Sequence, residues 1–327
     1  MHNILKWKME KFMNKCKQVL RCICFLVIAG VIFAGVTHIF ERKTLLGPWN
    51  YTIKVNGYFN SEPNSMDVVC LGSSHMFCSI NPIILEETYG ISTYVLATQQ
   101  QTVKASYYYM LEALKTQSPK AFIFETFMVN WDKANLTDAI IGDATEPLPM
   151  SMNKLQMIAD LTEGREPKIP YFLTLFKYHD RWKELQTEDF TFNRNNAVDE
   201  TKGYVYLTDA TPVTKNLFDH PPIIYEICSE DLEYLEKMVA LCRENNIQLI
   251  LLYAPFSMDE FYYNACYTVK HFADEHELDF INGYELLTTI DFNFDKDFYD
   301  IGHMNCNGSS KLTEYVGNYL IDRGYLQ

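Results

Sequence analysis

The chain has 327 residues, 48% of them apolar, with only 14 Gly and 12 Pro, which supplies one large globular core or two modest ones and excludes a disordered or fibrous protein. Its formal charge of -14 is unevenly placed: the first 43 residues carry eight Lys/Arg against Glu10 and Glu41, leaving 20 basic and 40 acidic residues in the remainder. A field of that sign repels nucleic acid and anionic headgroups, so neither is expected as a ligand of the main body.

Residues 1–21 form a basic tail. Cys22–Phe40 (CICFLVIAGVIFAGVTHIF) then runs for 19 positions without Asp, Glu, Lys or Arg, long enough to cross a bilayer as a helix. Six Lys/Arg precede it and only Arg42 and Lys43 closely follow, so the positive-inside bias predicts a cytoplasmic N-terminus and an extracytoplasmic main domain. A cleaved signal peptide ranks lower, because the basic region is long and no small-x-small site follows the apolar run.

Residues 41–65 are turn-rich and read as a linker onto a domain at 66–327. Within it, Asp67–Leu71, Thr93–Leu96, Ala121–Phe124, Gln248–Tyr253 and Asp279–Ile281 are short apolar runs with the look of buried strands. Thr102–Thr116 and Asp231–Asn245 carry apolar residues at helical spacing. Strand alternating with helix predicts an α/β fold of three layers, α/β/α, around a central parallel sheet. The interval 131–229 breaks that rhythm, with helix-like pieces near 151–163 and 171–186, and reads as an inserted cap. A last helix is expected over Asn307–Leu320, with Asn307 as N-cap and Leu312, Tyr315, Val316 and Leu320 facing inward.

Nine scattered cysteines show neither paired CxxC spacing nor disulfide-scaffold density, so a zinc site is not expected. Cys70 and Cys242 fit apolar patterns and read as small core residues. The other thiols leave open either a reducing habitat or a few bridges. No G-x-x-x-x-G-K-[ST], HExxH or EF-hand loop is present, and no metal or cofactor is expected.

The first strand runs into Gly72-Ser73-Ser74-His75. A small-residue turn at the carboxyl end of a strand in a parallel sheet exposes a hydroxyl where ligands bind. Far downstream, Asp300-Ile-Gly-His303 places a carboxylate and an imidazole on one short segment. A serine nucleophile needs an adjacent base, and the base needs an orienting group on its other ring nitrogen. Ser74, His303 and Asp300 are the candidates for those roles.

The strand-ending G-x-S, the D-x-x-H before the last helix and the α/β/α rhythm between them together resemble the SGNH/GDSL hydrolase superfamily. GSSH after a membrane anchor, LATQQQTVKASYYYMLEALKTQSPK and YHDRW at 178–182 resemble its membrane-anchored branch, which includes D-alanyl-lipoteichoic acid biosynthesis proteins and other bacterial surface-polymer proteins. The resemblance covers most of residues 44–327 and implies a flavodoxin-like strand order, with Ser74 as nucleophile. It also implies an oxyanion hole from the backbone N–H groups of Ser74 and Ala97, with Asn130 in the place of the family's third block. The sequence departs from the family in having Ser73 where an aspartate is usual, Leu96-Ala97-Thr98-Gln99 where a glycine is usual, and no G-x-N-D. Further candidate substrate contacts are His75, Gln99, His179 and Arg181.

The expected function is an extracytoplasmic serine esterase or O-acyltransferase acting on an ester-linked acyl group of a cell-envelope polysaccharide or teichoic-acid-like polymer. The alternative is an inactive accessory protein on the same scaffold that assists a membrane-bound O-acyltransferase. The membrane, reached through the N-terminal helix, is the other expected partner.

Overall fold

The computed structural model describes residues 2–325; Met1, Leu326 and Gln327, the outer ends of the expected tail and domain, lie outside the described residues. The chain divides into two compact units, one of 1–43 with 165–192 and one of 44–164 with 193–327.

In the first unit a single helix spans His2–Phe40. Its Lys6–Phe40 portion has a mean hydropathy of 2.6 in its most apolar window and is long and apolar enough to cross a membrane. The expected span at 22–40 is the carboxyl half of this helix. The same unit holds the short helices Ile169–Phe172, Leu175–Tyr178 and Thr187–Thr191.

The second unit is built on five parallel strands: β1 (Val68–Gly72), β2 (Thr93–Ala97), β3 (Ala121–Glu125), β4 (Gln248–Tyr253) and β5 (Asp279–Asn282). Their order is β2-β1-β3-β4-β5, the flavodoxin-like arrangement of an α/β fold. Successive side chains of a strand point to opposite faces, and here both faces are covered. Val68, Cys70, Ile123, Ile250 and Leu252 join Leu85, Leu312, Val316 and Leu320 in one apolar cluster. The alternate residues Val69, Leu71, Phe122, Phe124 and Leu251 are equally buried. This two-sided burial is why the strands read as continuous apolar runs rather than alternating ones.

Two local expectations are corrected. The supposed linker contains a packed helix, Tyr51–Phe59, with Tyr58 fully buried. Its polar residues are structural: Lys54 Nζ donates to Tyr204 O at 2.6 Å and to Thr201 Oγ1 at 2.7 Å, and Tyr94 Oη donates to Lys54 O at 2.7 Å. Gly57, which reads as a turn residue, is where this helix meets Tyr94; an added Cβ would lie 2.8 Å from the Tyr94 hydroxyl oxygen. The last helix spans Cys306–Arg323, and its cap is Asn305 rather than Asn307, with Asn305 Oδ1 accepting from the backbone of Asn307 and Gly308. Tyr315 is half-buried there, while Leu312, Val316 and Leu320 are fully buried.

The interval 131–229 does not behave as one inserted body. Residues 131–164 and 193–229 belong to the sheet-bearing unit, and only 165–192 leave it. Met157, Ile158, Leu161, Val205 and Leu207 are buried. The extended stretch 204–213 is tied down by backbone bonds from Val205 N to Phe77 O, Cys306 N to Leu207 O, Thr211 N to Phe298 O and Val213 N to Phe294 O, at 2.8 to 2.9 Å. An irregular stretch can remain in a compact unit when its backbone groups are satisfied in this way. Cys70 and Cys242 are buried.

Candidate active site

The chain passes from β1 outward to β2 and then returns to β3 on the other side of β1. That reversal leaves a crevice at the carboxyl ends of β1 and β3, where ligands of such sheets bind. Gly72 ends β1 at φ +148, a conformation that favours glycine, and an added Cβ would meet Glu125 Cβ at 2.8 Å. Ser73 caps the short helix Ser74–Phe77 by accepting from His75 N at 3.3 Å. Ser74 is therefore the first helical residue, and its backbone N–H has no partner within the helix.

Ser74 and His303, 229 residues apart, meet at 2.9 Å between Oγ and Nε2. On the other side of the ring, His303 Nδ1 lies 3.0 Å from both Oδ1 and Oδ2 of Asp300. An ionised carboxylate only accepts, so Nδ1 carries the proton and donates, leaving Nε2 to accept from the serine hydroxyl. Asp300 is itself oriented, because Oδ1 accepts from the backbone N–H groups of Gly302 and His303 at 2.8 Å each. The loop is closed by a bridge between Phe298 and Met304 and by Tyr299 N donating to His303 O at 2.9 Å. Asn305 anchors its far end, donating from Nδ2 to Lys296 O at 2.7 Å and Asp209 O at 3.1 Å.

Beneath the serine turn lies a group that strand-by-strand reading missed. Glu125, the last residue of β3, is fully buried. Ser73 Oγ donates to its Oε2 at 3.0 Å and Phe127 N to its Oε1 at 2.8 Å. Burial pushes its carboxyl up from 4.5 to about 7, against the opposing effect of those hydrogen bonds. A glutamate closing the apolar run AFIFE was the available signal.

Beside the serine, His75 stacks on Phe127 with ring centroids 3.8 Å apart and planes 14° apart, and its ring centroid is 5.1 Å from that of His303. Burial, then the neighbouring His303, holds the His75 imidazole well below its usual range, so it stays neutral. His75 and Gly302, the chain neighbours of Ser74 and His303, help line a cavity of about 300 Å³ together with Phe127, Phe256, Tyr262 and Asn216. Its wall combines four rings with the polar residues Thr214, Asn216, Ser257 and Asp259, the mixture of apolar surface and placed polar groups that small-molecule sites commonly have.

The remaining candidates fall elsewhere. Ala97 stands beside Gly72 in the sheet register. Gln99 Oε1 accepts from Tyr51 Oη at 2.9 Å, which ties it to the helix Tyr51–Phe59. Asn130 is committed to another loop: its N–H donates to Asp231 Oδ2, its Nδ2 to Glu226 O, and its Oδ1 accepts from Cys228 N, at 2.8 to 3.0 Å. It also sits at φ 62, which asparagine tolerates, and its N–H, Nδ2 and Oδ1 are all engaged in fastening that loop. His179 and Arg181 lie in the unit of the N-terminal helix; His179 is exposed and Arg181 is bonded to that helix. Among the described residues no cluster of His, Cys, Asp and Glu could hold a metal ion.

No family model and no curated protein matches the chain. Among solved structures it is similar to a protein from Bacteroides fragilis described as a "putative acylhydrolase", over 83% of this chain and 95% of that one, at 11% identity and a TM-score of 0.38. That degree of likeness assigns neither family nor activity.

Proposed function

We propose that the chain is a membrane-anchored serine esterase or O-acyltransferase of SGNH/GDSL type, acting outside the cytoplasm on an ester-linked acyl group of a cell-envelope polymer. The observation that carries this reading is the hydrogen-bonded series Ser74 Oγ, His303 Nε2, His303 Nδ1 and Asp300 carboxylate, at 2.9 to 3.0 Å, set at the switch point of the sheet. Ser74 Oγ attacks the ester carbonyl while its proton passes to His303 Nε2. The carbonyl oxygen becomes an oxyanion, for which the backbone N–H groups of Ser74 and Ala97 are the proposed donors. Collapse expels the alcohol, which takes the proton back from His303, and leaves the acyl group on Ser74. Water or a sugar hydroxyl then gives its proton to His303 and attacks the acyl-enzyme, collapse breaks the bond to Ser74 Oγ, which takes that proton back, and the choice of acceptor separates hydrolase from transferase. The aromatic cavity beside His75 is the proposed seat of the acyl group.

The extracytoplasmic placement rests on the helix at Lys6–Phe40 and on the basic residues ahead of its apolar part. The test is hydrolysis of a small activated acyl ester by the full chain in detergent: wild type turns the ester over, and Ser74→Ala does not. Equal rates for the two would refute the reading.

One observation favours a second reading, that of a non-catalytic accessory protein to a membrane-bound acyl-transfer system. Asn130, the residue in the place of the family's third block, is spent on the loop at 226–231. On this reading Ser74→Ala leaves the cellular phenotype of the protein unchanged.

A further inference from the structure

The stretch Arg165–Phe192 clusters with the N-terminal helix and not with the sheet, and its burial is inverted. Its one buried side chain is a carboxylate, Asp189, while Ile169, Phe176, Trp182 and Phe190 are each more than half exposed. Soluble surfaces scatter large apolar groups singly and bury charges last. Such an inversion fits a surface whose solvent is not water.

The buried carboxylate shows how the stretch is held. Asp189 lies 3.5 Å from Lys43 Nζ and 3.4 Å from Arg181 Nη2. Arg181 Nη1 in turn donates to the carbonyl oxygens of Phe40 at 2.6 Å and Glu41 at 2.7 Å. These lie at the end of the helix, where carbonyls lack intrahelical partners and a cation is favoured. Nε2 of His38 is 3.0 Å from the carbonyl oxygen of Phe192. The stretch is thus fastened at both the guanidinium and the imidazole to the last turn of the apolar helix and the residue after it.

A helix whose apolar run ends at Phe40 brings Phe40 to the hydrocarbon boundary, so groups bonded there sit at headgroup depth. Aromatic rings and snorkelling cations are favoured at that depth. Lys183 Nζ lies 4.9 Å from the ring centre of Trp182, and Lys177 Nζ lies 5.0 Å from that of Tyr178. The charge also changes here. The stretch carries five Lys/Arg against five Asp/Glu, whereas residues 44–327 as a whole carry 20 against 40, so an anionic headgroup surface repels this part least.

We propose that Arg165–Phe192 is an interfacial membrane platform, lying in the headgroup and acyl boundary where the N-terminal helix leaves the bilayer, with Ile169, Phe176 and Trp182 in lipid. This rests on reading the helix as a bilayer span. The occupant is phospholipid because the stretch is bonded to the end of that helix, whose most apolar window is entirely unburied and takes lipid on the same reading. Arg181, which the sequence offers as a substrate contact, becomes the clamp that sets the depth of the platform.

The test uses the full chain in phosphatidylcholine and phosphatidylglycerol vesicles, with Trp182 kept and Trp7, Trp49 and Trp131 replaced by Phe. Trp182 emission is expected to be blue-shifted, shielded from aqueous iodide and quenched several-fold by lipids brominated near the headgroup. Water-like emission with full iodide quenching overturns the proposal. So does emission that is shielded from iodide yet untouched by brominated lipid, which would mark a protein partner or a second copy. A companion chain with Trp182→Phe and Phe33→Trp reports the helix itself. If that tryptophan is quenched by deeply brominated lipid and Trp182 is not, the platform alone fails; if neither is quenched, the span fails and the platform with it.

Discussion

Ser73 and Glu125 are joined across the switch point of the sheet, the Ser73 hydroxyl donating at 3.0 Å to Oε2 of a carboxyl fully shut off from water. Because Ser73 also caps the helix that begins at Ser74, this contact sets the backbone from which the nucleophile candidate projects. The other oxygen of Glu125 holds Phe127 N at 2.8 Å, so a single side chain ties the serine turn to the wall of the adjoining cavity.

Glu125 makes stability depend on pH in a defined direction. Its folded value, about 7, lies above the 4.5 of an unperturbed glutamate, so the folded state binds the extra proton between those limits. Its contribution is fully present below pH 4.5 and is lost as pH rises through about 7, a change of about 3 kcal/mol. Urea unfolding of the detergent-solubilised chain should show wild type losing stability relative to Glu125→Gln over that window. A difference that stays constant with pH would contradict the assignment.

The triad candidates should fail unequally. Ser74→Ala and His303→Ala are each expected to lower kcat for a small acyl ester by roughly 10³ to 10⁶-fold, and the double variant little further, since the two act as a unit. Asp300→Asn, which removes the carboxylate that fixes the tautomer, is expected to cost about 10⁴-fold. Single-turnover kinetics on all four chains check the order, and additive losses would contradict the unit.

His75 is held neutral by burial and is a wall rather than a proton carrier. His75→Phe keeps the ring on Phe127, so kcat is expected within a few-fold of wild type, with a pH-activity profile of unchanged shape. A displaced profile would assign the imidazole a proton-transfer role.

Asn130 separates structural from catalytic roles. Asn130→Gly keeps the positive φ and removes the bonds to Glu226 and Cys228, so about 1 to 3 kcal/mol of stability is expected to go while kcat for the small ester holds. A large fall in kcat at unchanged Tm would return Asn130 to the oxyanion hole.

What the sequence carried and what it did not divide along physical lines. Strands β1 to β4 were legible because burial on both faces leaves apolar runs, from Val68–Gly72 to Gln248–Tyr253, while the edge strand Asp279–Asn282 showed only Phe280 and Ile281. Asp300 and His303 were legible as a pair because their relation is local, three residues on one loop. Glu125 was not, because its meaning depends on β3 lying beside β1, a relation across 52 residues. The helix Tyr51–Phe59 hid behind Asn and Gly, whose roles there are long-range contacts with Pro147 and Tyr94. The placement of His179 and Arg181 in the unit of the N-terminal helix was not legible, because it depends on contacts such as Arg181 to Phe40 O across 141 residues. The cap of the last helix was missed by two residues, since Asn305 and Asn307 are equally good caps by residue type.

The most direct test of the central claim is covalent labelling of the full chain with a fluorophosphonate, read by intact mass and peptide mapping. One adduct per chain on Ser74, abolished by Ser74→Ala and strongly slowed by His303→Ala, is the result expected of a serine whose hydroxyl proton is taken by His303 at 2.9 Å. A chain that stays unlabelled while folded, or one labelled elsewhere with Ser74 intact, would contradict the assignment of Ser74 as the nucleophile.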